Sequence, residues 1–184
     1  MIKQSIYRAV VLAVVLPVGA LLAAGCRGGS GSGVSVGAGS RYVNNSGGMQ
    51  WISLPDSSRV RIGDGTVIVV GTAFTTGSRA VDLDGEGMFE VRASAAGPFV
   101  VTTKNLIIQA VGTKFRVEAV RSTPGEEVDL LEGRLRVVKS YHSDTDNEPE
   151  LLDAGDMLMI NREIDLMEKE KMNGEEVDKA KAKF

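Results

Sequence analysis

Arg59-Val60-Arg61-Ile62-Gly63-Asp64-Gly65-Thr66-Val67-Ile68-Val69-Val70 is the stretch on which the fold turns. Its first four residues alternate cation and aliphatic, the period of two of a strand with one wet and one buried face. Gly63-Asp64-Gly65 then supplies turn chemistry, and the β-branched run that follows resumes extended structure without helical spacing. Val67–Val70 is apolar on both sides and is expected to lie deep, as is Leu106-Ile107-Ile108. The same pattern extends outward to eleven candidate strands: Gln50–Leu54, Arg59–Ile62, Thr66–Val70, Arg79–Leu83, Gly87–Val91, Phe99–Thr102, Leu106–Val111, Lys114–Val120, Glu127–Leu131, Arg134–Ser140 and Met157–Ile160. Turn signals roughly every 8 to 12 residues, with no amphipathic helix between them, predict an all-β sandwich, roll or solenoid and argue against a parallel α/β sheet. Gly85, Gly112 and Gly133 interrupt strand-like runs, where glycine marks a bulge, a corner or a close backbone approach. Phe89, Phe99 and Phe115 sit among aliphatics and are expected in the core, each ring worth about 1.5 to 3 kcal/mol when buried.

The chain divides into four parts. Residues 1–25 read as a signal peptide or membrane anchor: Lys3 and Arg8 precede the apolar run Ala9–Ala24, and Ala23-Ala24-Gly25 offers small side chains for a signal peptidase. Cys26, the only cysteine, follows directly. It cannot make an internal disulfide, and its place after Leu22-Ala23-Ala24-Gly25 is similar to the lipobox of bacterial lipoproteins, which makes Cys26 the expected lipidation site. An uncleaved anchor and plain secretion stay open, because the run falls between the about 20 residues of a spanning helix and the about 7 to 15 of a signal core. All three readings put the remainder outside the cytoplasm, on the periplasmic side of a cell envelope. Residues 26–48 carry the lipidation site and a Gly/Ser-rich tether, 49–160 the β domain, and 161–184 a charged tail, partly helical. In that tail Asn173 can cap, Glu175 and Glu176 suit a helix start, and Lys179, Lys181 and Lys183 suit its end. Val177, Ala180 and Phe184 share a face.

Charge and composition narrow the function classes. The formal net charge is -3, and loss of Lys3 and Arg8 with the leader takes it to -5, which argues against nucleic acid as partner. Aromatics are few, at 5%, and glycines number 22, which suits one small domain with many tight turns. Gly63-Asp64-Gly65 and Gly85-Glu86-Gly87 lead into no helix that could hold an anion, so neither reads as a phosphate loop. His142, the only histidine, stands in a polar loop with Ser140, Ser143 and Asp144, without a frame for nucleophile, base and orienter. Asp144-Thr145-Asp146-Asn147-Glu148-Pro149-Glu150 spaces oxygens as a calcium loop does, but lacks the sixth-position glycine and the closing glutamate. No catalytic residue, cofactor or metal site is expected, and the chain does not read as an enzyme.

Five segments, taken in order, carry a family resemblance: Leu54-Pro55-Asp56-Ser57-Ser58-Arg59-Val60, Leu83-Asp84-Gly85-Glu86-Gly87-Met88-Phe89-Glu90-Val91, Pro98-Phe99-Val100-Val101, Val111-Gly112-Thr113-Lys114-Phe115 and Leu131-Glu132-Gly133-Arg134-Leu135. From about Trp51 to Ile160 the chain resembles the FecR family of periplasmic signalling domains. The resemblance implies a twisted, solenoid-like roll of short strands. It also implies a role in trans-envelope regulation of sigma factors, linked to TonB-dependent transport. Ser57 departs from the family's usual Asp-Gly turn. Only Met1–Arg8 precede the apolar run and only Asn161–Phe184 follow Ile160, so a cytoplasmic sigma-binding domain and the C-terminal receiver module are not expected here. The leading expectation is a membrane-tethered interaction module in envelope signalling, with envelope proteins as partners: a TonB-dependent receptor or a transmembrane regulator. The alternative is a structural or carbohydrate-associated lipoprotein using exposed aromatics such as Trp51 or Tyr42. Trp51 is otherwise expected to cover the open end of the β core.

Overall fold

The structure is a computed structural model that describes residues Gly33–Phe184; the leader and Cys26 lie outside the described residues. The described chain is all-β with one short C-terminal helix. Its strands are β1 (Val34–Ser35), β2 (Arg41–Val43), β3 (Gln50–Ser53), β4 (Arg59–Ile62), β5 (Val67–Val70), β6 (Arg79–Glu90), β7 (Phe99–Thr102), β8 (Leu106–Ala110), β9 (Lys114–Ala119), β10 (Gly125–Glu132), β11 (Arg134–Lys139), β12 (Glu150–Asp153), β13 (Asp156–Asn161) and β14 (Leu166–Lys171), followed by helix α1 (Gly174–Ala182).

Two sheets share one strand. The front sheet runs β1-β3-β4-β6-β9-β10-β13-β14 and the back sheet β2-β5-β6-β7-β8-β11-β12. Strand β6 belongs to both: Arg79–Asp84 pairs with β5 and β7, and Gly85–Glu90 with β4 and β9. Each passage of the chain between the sheets goes through glycine. Gly37 and Gly39 lie between β1 and β2, Gly47 and Gly48 between β2 and β3, Gly63 and Gly65 between β4 and β5, and Gly85 within β6. Gly112, Gly133 and Gly155 mark the passages β8 to β9, β10 to β11 and β12 to β13. The turn signals of the sequence therefore mark both these crossings and the hairpins within each sheet. At Gly85, φ is +123° and a Cβ would stand 2.4 Å from Thr66 Oγ1 and 2.8 Å from its Cα. At Gly133, φ is +89° and a Cβ would meet Gly112 O at 2.8 Å. Backbone crosses backbone at both corners, and a side chain does not fit.

The rolled sheets enclose one core. Phe89 and Phe115 sit opposite each other on β6 and β9, their rings stacked at 5.0 Å. Phe99 approaches Phe89 at 6.1 Å, and Phe74 meets Phe99 edge-on at 5.9 Å. Phe89, Phe99 and Phe115 are fully buried. A largely buried ion pair ties the Asp56 turn to β6 and to the segment between β6 and β7. Asp56 accepts from the Ser58 amide and from Arg79 Nη1, each at 2.9 Å, and Arg79 also donates to the carbonyls of Arg92 and Gly97. Ser57 holds the turn at φ +66°, the left-handed geometry that glycine takes most easily.

Four expectations are corrected. Arg79–Leu83 and Gly87–Val91 form a single strand, because Gly85 bends the chain without breaking the ladder. Val67, Val69 and Ile107 are only half-buried, since their strands turn one face outward; an apolar run on both sides does not place a strand inside. The Gly/Ser-rich stretch pairs from Val34 onward, with Val36 in the core and Asn44 fully buried. The Asn44 amide donates to the carbonyls of Gly48, Ile62 and Gly63, so its side chain does the work of a missing strand. Residues 166–171 of the tail form β14 on the edge of the front sheet, where Leu158 and Ile160 of β13 determine the register.

Candidate interaction surface

The outer face of the front sheet can be read row by row from its register. One row runs Trp51, Arg61, Met88, Arg116, Asp129, Met157, Glu170; the next runs Glu86, Glu118, Glu127, Met159, Glu168. Alternation explains both, since every second residue of β6, β9, β10 and β13 points away from the phenylalanine core.

At the β14 end of this face lies a groove of about 460 Å³, lined by Met159, Ile164 and Leu166 with Glu118, Glu127 and Glu168 at its rim. Its apolar residues are the unusual feature: Ile164 is 68% exposed, Leu166 42% and Met159 37%. Clustered aliphatics in water mark contact surfaces more often than scattered ones do. Among the described residues strand β14 pairs only with β13, so its outer backbone groups are open to another strand. Its sequence Leu166-Met167-Glu168-Lys169-Glu170-Lys171 guards that edge with charge, which discourages indiscriminate pairing. Lys169 reaches across the open side of the roll to Glu150 at 3.0 Å and to the Leu151 carbonyl.

Helix α1 lies over the centre of the same face. Asn173 and Glu176 form a capping box, Ala180 is buried, and Arg61 donates to the Lys183 carbonyl. Beneath it Arg116 contacts Glu86 and Glu127 at 2.7 Å, Asp129 at 3.1 Å, and Glu118. Burial opposes the charge on Arg116, but the hydrogen bond and field of Glu86, and then of Asp129, outweigh it and hold the guanidinium above its ordinary pKa. Burial, and repulsion from Glu127, push the Asp129 carboxyl up despite Arg116.

On the other side of the groove, Asp165 of the β13–β14 turn gathers four donors. Its carboxylate accepts from Lys139 Nζ at 3.1 Å, Tyr141 OH at 3.1 Å, Ser143 Oγ at 2.7 Å and Thr145 Oγ1 at 3.0 Å. These bonds, that from Ser143 first, hold the Asp165 carboxyl well below the usual carboxylate range. The loop carrying His142 is thereby clamped to the edge of the groove, with His142 itself exposed. Oxygens of 144–150, spaced as in a calcium loop, bond within the loop instead: Asn147 exchanges bonds with the Ser143 backbone, and Asp146 accepts from the Glu148 amide. Among the described residues no group of three or more His, Cys, Asp or Glu is arranged to hold a metal ion. Trp51 does not close the core. It lies on the outer face with the Arg59 guanidinium 4.8 Å from its ring. Tyr42 packs against the core, and its hydroxyl donates to Gln50.

The sequence singles out no groove residue for contact, and neither Arg116 nor Asp129. The signal was present in Lys114–Ala119 and Glu126–Asp129, whose alternating charges place several carboxylates on one face once β9 and β10 are paired. Ile164 and Leu166 fell in a segment read as tail.

The model of the family described as FecR protein matches residues 40–139. Two solved structures of a candidate anti-sigma factor from Parabacteroides distasonis ATCC 8503 share the fold, each with a TM-score of 0.66 and 24% identity over 76% of this chain. The chain spans 62% and 63% of the length of those two. No curated protein matches.

Proposed function

Because the chain belongs to the FecR family, we propose that it is a membrane-tethered, extracytoplasmic docking module of envelope signalling, acting by contact with other proteins. The observation that carries this reading is the exposed groove of Met159, Ile164 and Leu166, set beside the free edge of β14 and rimmed by carboxylates. A partner segment laid along that edge gains main-chain hydrogen bonds from β14, apolar burial from the groove and specificity from the rim. Envelope proteins of the kind FecR relatives work with, a TonB-dependent receptor or a transmembrane regulator, are the proposed partners. Sigma-factor regulation enters through that partner. Acylation of Cys26 is the proposed tether. Among the described residues no helix is long and apolar enough to cross a membrane.

The test pairs Ile164→Glu with Leu166→Glu in the full chain, expressed in cells and treated with a short amine-reactive crosslinker. The reading expects an envelope protein recovered with the parent chain to be lost with the double variant at unchanged thermal stability. The same protein recovered equally from both chains contradicts the groove as the contact. Intact mass of the mature protein, compared with Cys26→Ser, tests the anchor: an acyl-sized difference is expected, and identical processing without acyl mass contradicts it.

A further inference from the structure

The cavity under α1 is separate from the groove and carries its own chemistry. It is about 280 Å³ in volume, lies between the front sheet and the helix, and is lined by Arg116, Glu127, Asp129 and Met157 below and Lys179 and Ala180 above. Four carboxylates, from Glu86, Glu118, Glu127 and Asp129, share the single guanidinium of Arg116. Asp129 is 5% exposed; Arg116 occupies its Oδ2, while its Oδ1 is buried and has no hydrogen-bond partner among the described residues. A buried carboxylate oxygen without a donor is costly, and a cationic donor is what would satisfy it. The helix end brings Lys179 and Lys183 to the cavity, yet neither bonds Asp129 Oδ1: Lys179 pairs with Glu175 at 2.7 Å and Lys183 with Glu86 at 3.7 Å.

The helix is also weakly held. Its nine residues are fewer than an isolated helix needs to persist in water, so α1 depends on docking, and Ala180 is the one residue it buries. Met157 and Met172 line the same space and can repack around a different occupant.

We propose that α1 is a displaceable strap over a second docking surface, and that its competitor is an arginine- or lysine-bearing segment of a protein partner, whose cation bonds Asp129 Oδ1 and offsets the acidic excess around Arg116. This rests on the reading of the domain as a protein-docking module; the cavity shares Glu127 with the groove's lining, but Asp129 and Ala180 belong to the cavity alone and Ile164 and Leu166 to the groove alone, so variants at those positions test the two separately. With α1 seated, the surface is available only in the fraction of molecules whose helix is released, and partner affinity is reduced by that fraction.

The probe is a hexa-arginine peptide added to the full chain at low salt, with binding measured by calorimetry and helix release by hydrogen exchange of residues 174–182. Binding is expected to raise exchange in that segment. Ala180→Glu, which unseats the helix, is expected to tighten binding at least about fivefold. Adding Asp129→Asn to Ala180→Glu is expected to abolish that gain. Glu127→Gln, at a half-exposed position of the cavity wall, serves as the second test and is expected to weaken binding in the same background. Binding that leaves exchange at 174–182 unchanged overturns the strap. Affinity indifferent to Ala180→Glu does the same, as does a gain that survives both Asp129→Asn and Glu127→Gln. Concentration-dependent self-association of Ala180→Glu without peptide overturns the proposal in favour of a second copy as the occupant. Loss of the envelope partner in Ile164→Glu/Leu166→Glu reports only on the groove.

Discussion

Ser57 occupies a backbone position at φ +66° in the Asp56-Ser57-Ser58 turn, where its Cβ is held against a carbonyl that glycine would not meet. Serine thus stands in a left-handed position that glycine fits better. Ser57→Gly removes a left-handed penalty of about 1 to 2 kcal/mol and adds about 0.5 to 1 kcal/mol of unfolded-state entropy, so a net stabilisation of about 0.5 kcal/mol is expected in urea denaturation. A destabilised Ser57→Gly would contradict the turn. Asp165 is a second residue with a sharp signature. Its pKa lies below that of the unfolded chain, about 3.9, so its contribution is complete above that pH and is lost as pH falls through the lower folded value. Asp165→Asn keeps a side chain that tolerates the φ of +50° there, yet leaves Lys139 without its carboxylate. The gap in stability between parent and Asp165→Asn is expected to be widest near neutral pH and to narrow below about pH 4. Unfolding at pH 3, 5 and 7 measures it, and a gap independent of pH would refute the role given to those four donors.

At the scale of elements, the fold rests on where strands change sheets. Gly85→Ala forces a Cβ onto the Thr66 backbone at a φ that side chains rarely adopt, and is expected to cost about 3 kcal/mol, read as a shift in denaturation midpoint with unchanged slope. A loss under about 1 kcal/mol would show that β6 does not bend as described. Phe89→Ala, at the centre of the phenylalanine stack, is expected to cost about 3 to 5 kcal/mol by the same measurement. Much of this was legible in the chain. Arg59-Val60-Arg61-Ile62 announced a half-buried strand, the three phenylalanines announced the core, and the glycines announced corners. What was hidden has a physical reason. Val34, Arg41–Val43 and Leu166–Lys171 are too short or too charged to show alternation, and they become strands because a finished sheet edge offers them partners. Arg116 and Asp129 read as ordinary strand charges until the pairing of β9 with β10 sets them opposite each other. The groove was hidden for a similar reason, since Met159 and Leu166 lie on neighbouring strands but seven residues apart in sequence.

For the whole molecule, the phenylalanine core supplies stability and the front sheet's outer face is the surface proposed for recognition. That face carries an apolar groove open to solvent at one end and a charged cavity under a helix in the middle, while the Cys26 tether is proposed to fix the domain near a membrane. Such an arrangement suits a protein that reports by changing neighbours. The most direct measurement is site-specific photocrosslinking in intact cells, with the photoreactive residue placed at Leu166 on the groove and, in a separate strain, at Val111 on the back sheet's side. One discrete crosslink to an envelope protein from position 166, absent from position 111, is the predicted result; equal crosslinking from both positions, or none from either while the chain is folded and exported, would contradict the account.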